Sequence, residues 1–421
     1  MTESPAPSPD EQPFAHRQLG TYRGEEPGPL LLCIASLHGN EPSGCRATVR
    51  VLRQLAGAEI PMNGDLVALA GNLSALAAGT RFVDEDLNRV WQPKRVAAVL
   101  ESLRSEEESE DHKSLAPEYG SERPTLPMVG TSELAEQRQL IGAIRNAVRC
   151  ARGPVYVLDL HTTSSESAPF TTLGDTLQNR AIARSLPVPV VLGLEEQIDG
   201  AMLQYFDLLG WAGIGIEGGA HDALASIEAH VAVVWSLLAA LGLVDPRHIP
   251  DLEGSRARLA DAAEGLPRVV DVRYRHPVAP EDGFVMSPGF HNFERVRKGQ
   301  LLGSDRRGNV TAPTGGLLFL PLYQDQGDDG FFVVRRVRPM WLAISRWLRS
   351  RGLDRYATWI PGVIPHPGRS DAVILAGWAT NGVVIGILHL LGFNARHERG
   401  RVVMIRRVES ADDGSPLDLR R

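Results

Sequence analysis

Cysteine is scarce in this chain of 421 residues: Cys33, Cys45 and Cys150 are the three that occur. They have no C-x-x-C spacing, and their odd number gives no sensible disulfide framework. Secreted proteins usually carry paired cysteines, whereas the cytosol keeps thiols reduced. We therefore predict a cytoplasmic location.

The chain also lacks an excess of positive charge and a recognisable targeting segment. Its formal net charge is −7, so we predict no nucleic-acid partner, because no strongly basic field would collect phosphates. Residues Met1–Gln12 are rich in Pro, Ser and Glu and contain no apolar stretch. Such a segment is neither a signal peptide nor a membrane anchor, and we predict a disordered tail over residues 1–12.

Long apolar runs are rare, and one uncharged stretch is open to three interpretations. Ala372–Ala395 contains no Asp, Glu, Lys or Arg and is long enough to span a bilayer. The turn-type residues Thr380–Gly382 interrupt its middle, which favours two short buried elements and no membrane partner. A transmembrane helix and an interfacial anchor are the alternatives, and the second of these would suit Arg396, Arg399 and Arg401, which follow closely.

The remaining composition and pattern predict a globular α/β protein. An apolar content of 43% over this length supports a substantial core in two or three domains. Short β-type runs alternate with amphipathic helices from Leu30 to Val244, as in a largely parallel sheet covered by helices. The charged, proline-containing stretch Arg104–Val129 reads as a solvated loop. The predicted strands of this part are Leu30–Ser36, Asp65–Ala70, Val155–Leu160, Val188–Leu192 and Gly213–Glu217, and its clearest predicted helices are Ser132–Cys150 and His221–Leu241.

The sequence pattern changes after Glu253. Short β runs between Gly and Pro predict a small β domain, and a helix near Trp341–Leu348 with a β run at Val402–Val408 predicts an α+β extension of unknown role. The predicted order is a tail (1–12), a catalytic domain (13–252), the small β domain (253–338) and the C-terminal extension (339–421).

Two histidines follow the ends of predicted strands. His38–Glu41 reads H-G-N-E directly after the run Leu30–Leu37, and Asp159-Leu160-His161 lies on a second apolar run. Ligands bind beyond the carboxyl ends of strands in open α/β sheets. His38, Glu41 and His161 therefore form a candidate three-ligand zinc site with one open position, although a lone H-x-x-E also occurs by chance.

Other residues could complete a hydrolytic site. Arg81–Arg89 brings arginines and Asn88 into one loop, where they could hold a carboxylate and a developing oxyanion, or form an ordinary charged surface. Glu217 ends an apolar strand beside glycines and could act as a general base, or be an edge carboxylate in solvent. Asp159 shares a strand face with His161 and could orient that ligand, or cap a loop.

These motifs together resemble the succinylglutamate desuccinylase/aspartoacylase family of zinc carboxypeptidase-like hydrolases over roughly residues 30–337. The resemblance implies a zinc carboxypeptidase-like mixed sheet covered by helices and one zinc ion per chain. It further implies that the later β domain narrows the substrate mouth. Its most specific pieces are H-G-N-E at His38–Glu41, D-L-N-R at Asp86–Arg89 with Arg81 before it, D-L-H-T at Asp159–Thr162 and I-E-G at Ile216–Gly218.

The resemblance also implies a role for each residue. His38, Glu41 and His161 look like the zinc ligands; Glu217 looks like the general base. Arg81 looks like the group that polarises the carbonyl, and Asn88 with Arg89 like the clamp on the substrate carboxylate.

The implied activity is hydrolysis of the amide bond of an N-acyl amino acid or a similar small, carboxylate-bearing amide, in a possible homo-oligomer. A zinc carboxypeptidase acting on peptides and a non-catalytic ligand-binding or regulatory relative are the alternatives. One departure concerns specificity: Gly330-Phe331 stands where the animal aspartoacylases have a substrate-holding tyrosine, which argues against N-acetylaspartate.

Overall fold

The computed structural model describes residues 14–115, 131–221, 223–380, 382–398 and 400–409. The predicted tail over residues 1–12 lies outside them. Eighteen strands occur in the described part: β1 (Gln18–Arg23), β2 (Glu26–Ala35), β3 (Asn63–Ala70), β4 (Val155–Thr163), β5 (Phe170–Thr172), β6 (Val190–Leu192), β7 (Ala212–Ala220), β8 (Val269–Pro277), β9 (Val285–Met286), β10 (Arg295–Val296), β11 (Leu301–Asp305), β12 (Gly308–Thr311), β13 (Gly316–Phe319), β14 (Asp329–Arg336), β15 (Val363–Pro365), β16 (Ala372–Leu375), β17 (Phe393–Glu398) and β18 (Arg401–Arg406).

The α-helices of the described part cover the sheet and form much of the extension. Thr131 illustrates how they begin, since its side chain accepts a hydrogen bond from Leu134 N at the start of the fourth helix. The helices are α1 (Ser43–Gly57), α2 (Leu73–Ala78), α3 (Pro93–Leu115), α4 (Ser132–Arg149), α5 (Leu177–Arg184), α6 (Met202–Leu208), α7 (Leu224–Ala240), α8 (Leu252–Ala262), α9 (Pro339–Ser350) and α10 (Gly382–Leu390).

An eleven-stranded mixed sheet is the centre of the fold, in the order β1-β3-β2-β4-β7-β5-β6-β8-β14-β13-β10. The segment β3-β2-β4-β7 is parallel, and β8, β14, β13 and β10 continue the same sheet as antiparallel strands. The predicted α/β fold with a mixed, helix-covered sheet is confirmed. The division of the chain at residues 252 and 338 stays a prediction.

The two faces of β2 show why helices cover the sheet on both sides. Leu31 and Cys33 pack into a core with residues of α1 and α7, while Leu30 and Leu32 pack into another with residues of α3, α4 and α6. Alternate residues of a strand point to opposite faces, so an uninterrupted apolar strand has to be buried twice.

The prediction of a solvated loop over Arg104–Val129 is wrong for its first part, because α3 extends to Leu115. Two of the acidic residues that suggested a loop face basic residues of α4: Glu106 pairs with Arg138, and Glu107 Oε1 lies 3.2 Å from Arg145 Nη1. Favourable charge contact between two helices therefore accounts for the start of this acidic run. The rest of the stretch, residues 116–129, lies outside the described residues.

The extension contains its own sheet, β15-β16-β18-β17, and its own apolar core. The uncharged stretch Ala372–Ala395 divides there into β16, a 3-10 turn, α10 and the start of β17. None of the helices in the described residues is both long enough and apolar enough to cross a membrane.

Candidate active site

Parallel strands β2 and β4 bring the predicted metal ligands together. His38 and Glu41 lie just after β2, and His161 lies near the end of β4, which pairs with β2. All three residues are buried, and one potential ligand atom from each lies within 4.8 Å of the others. This group could hold a metal ion.

The two imidazole rings point the same nitrogen at one carboxylate. Nδ1 of His38 lies 2.9 Å from Glu41 Oε1, and Nδ1 of His161 lies 3.1 Å from Glu41 Oε2. The opposite nitrogens face other carboxylates: His38 Nε2 is 3.1 Å from Asp86 Oδ1, and His161 Nε2 is 2.9 Å from Asp159 Oδ2. Carboxylates in this position are typical of histidines that bind metals.

Gly39 is needed here because the backbone of α2 passes against it. A Cβ atom on Gly39 would lie 2.0 Å from the carbonyl carbon of Ala75. Its amide also donates a 3.1 Å hydrogen bond to the carbonyl of Arg81. The glycine thus allows the His38 loop to pack tightly between α2 and the loop that contains Arg81.

Burial and charge act in opposite directions on the candidate ligands. Burial alone would raise the pKa of Glu41, but His38 and His161 outweigh it and hold that pKa well below its usual range. Burial would lower the pKa of His161, but Asp159 and Glu41 hold it well above its usual range. The carboxylates therefore create a site that favours bound positive charge.

Arg81 lies beside this group and shares a carboxylate with it. Its Nε and Nη2 atoms donate to Asp86 Oδ2 at 3.1 and 2.9 Å, and its Nη1 lies 3.9 Å from Glu41 Oε1. Burial would lower the pKa of Arg81, but Asp86 and Glu41 outweigh it and raise that pKa. The guanidinium is thus a fixed positive charge next to the candidate ligands.

Glu217 lies on β7 directly opposite His161 of β4. Its Oε2 atom is buried and has no hydrogen-bond partner within the described residues. Burial raises the pKa of Glu217 to about 8, and repulsion from Glu41 adds to the rise that His161 opposes. A carboxylate in this environment can exchange a proton near neutral pH.

The two residues of the predicted clamp border the same cavity but have partners of their own. Asn88 Oδ1 accepts a 2.9 Å hydrogen bond from Met202 N. Arg89 Nη1 donates to the carbonyl of Asn88 at 3.0 Å, and its Nη2 donates to Asp329 Oδ2 at 3.3 Å. A substrate carboxylate bound by Arg89 would therefore share that guanidinium with Asp329.

All seven predicted site residues line one cavity of about 170 Å³. Leu320, Pro321 and Leu322 from the predicted β domain line it as well. Its arginines are Arg81 and Arg89, whereas its acidic residues are Glu41, Asp159, Glu195, Asp207, Glu217, Asp328 and Asp329.

Sequence reasoning gave no role to three residues that support this site. Asp86 contacts both His38 and Arg81, and its place two residues before Asn88 in D-L-N-R was the available signal. His230 contacts the carbonyl of His161 at 3.0 Å. Gln324 contacts Asn40 Nδ2 at 2.9 Å, and nothing in the local sequence around it signals this contact.

Comparison with known proteins gives a family match at the start of the chain. Residues 27–123 match the model of the succinylglutamate desuccinylase/aspartoacylase catalytic domain. Among curated proteins, the succinylglutamate desuccinylase of Pseudomonas putida is 33% identical over 84 residues, which are 20% of this chain and 25% of that protein. The enzyme of Pseudomonas paraeruginosa is 38% identical over 61 residues, which are 14% of this chain and 18% of that protein.

Solved structures extend the similarity to the fold as a whole. A succinylglutamate desuccinylase/aspartoacylase from Rhodobacter sphaeroides has a TM-score of 0.51 and 17% identity, covering 76% of this chain and 88% of that one. A succinylglutamate desuccinylase from Vibrio cholerae has a TM-score of 0.50 and 15% identity, covering 77% and 93%. The family model and the curated relatives therefore match the first part of the chain, residues 27–123 in the case of the family model. The solved structures show that the chain shares the fold of succinylglutamate desuccinylase/aspartoacylase proteins.

Proposed function

We propose that the protein is a zinc-dependent amidohydrolase that removes the acyl group from an N-acyl amino acid or a similar small, carboxylate-bearing amide. One observation carries this proposal. His38 and His161 both turn Nδ1 towards Glu41, and each turns Nε2 towards a carboxylate of its own. Glu217 lies opposite His161 on the neighbouring strand. The family match at residues 27–123 supports deacylase chemistry.

The donor set fits zinc. Two imidazole nitrogens and one carboxylate are ligands that zinc accepts, and three protein ligands are typical of catalytic rather than structural zinc sites. The buried carboxylates nearby favour a divalent cation. Bound zinc would make a water more acidic and would polarise the amide carbonyl.

The protein groups around the ligands supply the acid–base chemistry. Glu217 accepts a proton from the attacking water while the water oxygen bonds to the amide carbon. It then returns that proton to the amide nitrogen as the C–N bond breaks. Arg81 supplies a fixed positive charge for the carbonyl oxygen as negative charge develops on it. The products are a carboxylic acid and a free amine.

Asn88 and Arg89 are the proposed binding groups for the substrate carboxylate. An arginine can hold a carboxylate through two parallel hydrogen bonds, and Asn88 adds an amide. The cavity of about 170 Å³ favours a small substrate over a peptide. The curated relatives are matched over a quarter of their length or less, so the acyl amino acid substrate is part of this proposal.

Cellular context remains predicted from the sequence. A cytoplasmic location, the absence of nucleic-acid and membrane partners and a possible homo-oligomer belong to this proposal. The odd number of cysteines supports the cytoplasmic location, and the net charge of −7 supports the absence of a nucleic-acid partner.

The test is a substrate panel with matched metal controls. Purified protein is incubated with N-succinyl and N-acetyl amino acids and with short peptides, before and after chelation and again after zinc is restored. Release of a free amino acid that stops with chelator and returns with zinc is expected. Zinc-dependent cleavage of peptides alone would favour the carboxypeptidase alternative, and no cleavage in the zinc-loaded protein would contradict catalysis.

A further inference from the structure

A second cavity lies where the extension meets the rest of the protein. Its volume is about 550 Å³, against about 170 Å³ for the cavity at the candidate active site. One side is formed by α9 and α10, and the other by residues around β6, β8 and β14. This size is in the range of pockets that bind small organic ligands.

Arginine dominates the charge of this second cavity, in contrast to the acidic lining of the candidate active site. Its acidic residues are Asp175, Glu196 and Asp271. Its arginines are Arg180, Arg273, Arg336, Arg338 and Arg407.

Several of these arginines have unused donor capacity. Arg180 Nη1 and Arg407 Nε are buried without an acceptor among the described residues, although both side chains form ion pairs through their other nitrogens. Arg336 and Arg338 are exposed, and neither is within ion-pair distance of another described residue. Buried N–H groups normally have partners, so these two nitrogens have donor capacity for an added acceptor.

Most of the apolar lining comes from α9 and α10 of the extension, which also contributes Ser345, His389 and Arg407. Trp341 and Leu342 of α9 and Ile387 and Leu390 of α10 line the cavity, and Trp341 is 46% exposed. Gly386 also lines the cavity, and a Cβ atom there would meet nothing within 4 Å. The cavity therefore combines a cationic side with an apolar side.

We propose that this cavity binds an amphipathic anion, a carboxylate or phosphate head group carried on an apolar chain or ring. The head group would accept hydrogen bonds from the arginines, and the apolar part would cover Trp341 and the neighbouring side chains of α10. A free metabolite and a membrane lipid share this chemistry. The site is separate from the hydrolytic one, and the proposal does not depend on the proposed reaction.

Calorimetric titration of the full chain with octanoate, 1-octanol and acetate tests both halves of the proposal. Octanoate should bind saturably. 1-Octanol and acetate should each bind at least about tenfold more weakly, because 1-octanol lacks the negative charge and acetate lacks the apolar chain. A parallel sedimentation assay with phosphatidylglycerol vesicles identifies the source. If the protein binds the vesicles more strongly than its affinity for octanoate accounts for, the natural ligand is a lipid. If octanoate binds and the vesicles do not, the natural ligand is a free molecule.

Two variants place the binding in this cavity. Arg336→Ala with Arg338→Ala should weaken octanoate by about tenfold or more, as loss of hydrogen bonds to a charged group does, while the exposed pair Arg295→Ala with Arg297→Ala should change nothing. Gly386→Leu fills the open space and should abolish binding. Gly142→Leu is its control, because Gly142 also lies in a helix with open space around it.

Circular dichroism of every variant checks that the fold is kept. The proposal is overturned if neither octanoate nor vesicles bind the unaltered chain. It is equally overturned if octanoate binds as tightly to the folded Gly386→Leu variant as to the unaltered chain.

Discussion

The carboxylate of Asp86 lies 3.1 Å from Nε2 of His38 through one oxygen. Its other oxygen accepts two hydrogen bonds from the guanidinium of Arg81. One side chain therefore orients a candidate metal ligand and the group proposed to face the carbonyl oxygen. Burial would raise the pKa of Asp86, but Arg81 and His38 outweigh it and hold that pKa well below its usual range.

Asp86→Asn should lower zinc affinity by about 10–100-fold, the usual cost of altering a residue that orients a ligand histidine. The amide is nearly isosteric, but its weaker acceptor leaves His38 less firmly oriented. Competition with a chromophoric chelator measures the affinity. Asp84→Asn in the same loop is the control, because Asp84 accepts from Ser132 N and contacts neither His38 nor Arg81 in the described structure. Equal zinc affinity in the Asp86 and Asp84 variants would contradict the orienting role.

His161→Ala should lose both zinc and activity. The unaltered protein should carry about one zinc per chain, as a site with three protein ligands implies. Elemental analysis after gel filtration measures the content, with the exposed His248→Ala as the control. Full zinc content at unchanged affinity in this variant would show that His161 is not a zinc ligand.

Glu217→Gln should keep zinc and fold but lower kcat by about 10²–10⁴, the usual contribution of a positioned acid or base. Gln has the size of Glu but cannot accept the proton of the attacking water. Zinc content, circular dichroism and turnover are measured on the same preparation, with Glu228→Gln on the exposed surface as the control. Near-normal turnover would mean that another group activates the water.

Local sequence was sufficient to predict the three candidate metal ligands. His38 and Glu41 follow one apolar strand and His161 lies near the end of another, so the position of each could be predicted from a strand and the loop after it. The sheet then brings these ends together, as it does in open α/β folds generally. The same reasoning found the strands of the parallel segment but missed the edge strand β1, which has no fully buried residue.

Contacts between distant residues could not be predicted in this way. Arg89 meets Asp329, which is 240 positions away in the chain, and no local pattern signals that pairing. The first part of the acidic stretch of α3 was misread for the same reason, since Arg145, the partner of Glu107, lies on another helix. The contacts of Asp86 also depend on how its loop folds back onto His38, 48 positions earlier.

The two arginines of the site should have separable effects. Arg81→Ala should mainly lower kcat by about 10²–10³, as loss of one group that stabilises an oxyanion does. Arg89→Ala should mainly raise KM for substrates with a free carboxylate. Steady-state kinetics with a substrate and its carboxamide analogue separate the two, and Arg95→Ala, paired with Glu85, is the control. Equal effects of Arg89→Ala on both compounds would contradict the clamp.

Asp207 should make the protein less stable as the pH rises. Burial raises the pKa of Asp207 to about 8, and repulsion from Glu195 adds to the rise. An unfolded Asp loses its proton near pH 4. Between these values the folded state holds a proton that the unfolded state has released, so unfolding becomes easier as the pH increases from about 4 to about 8.

Asp207→Asn removes this ionisation and keeps the 3.0 Å hydrogen bond that Oδ1 accepts from Asn179. The Tm of the variant relative to the unaltered protein should therefore be higher at about pH 8 than at about pH 5, by at least ~2 °C, the shift that about 1 kcal/mol produces in a domain of 150–250 residues. Both proteins are melted with chelator present, so that metal binding does not contribute its own pH dependence. Asp261→Asn, at an exposed position, should show the same small difference at both pH values. If Asp207→Asn behaves in the same way, the side chain is already ionised in the folded protein, and the acidic end of the active-site cavity carries a full negative charge at neutral pH.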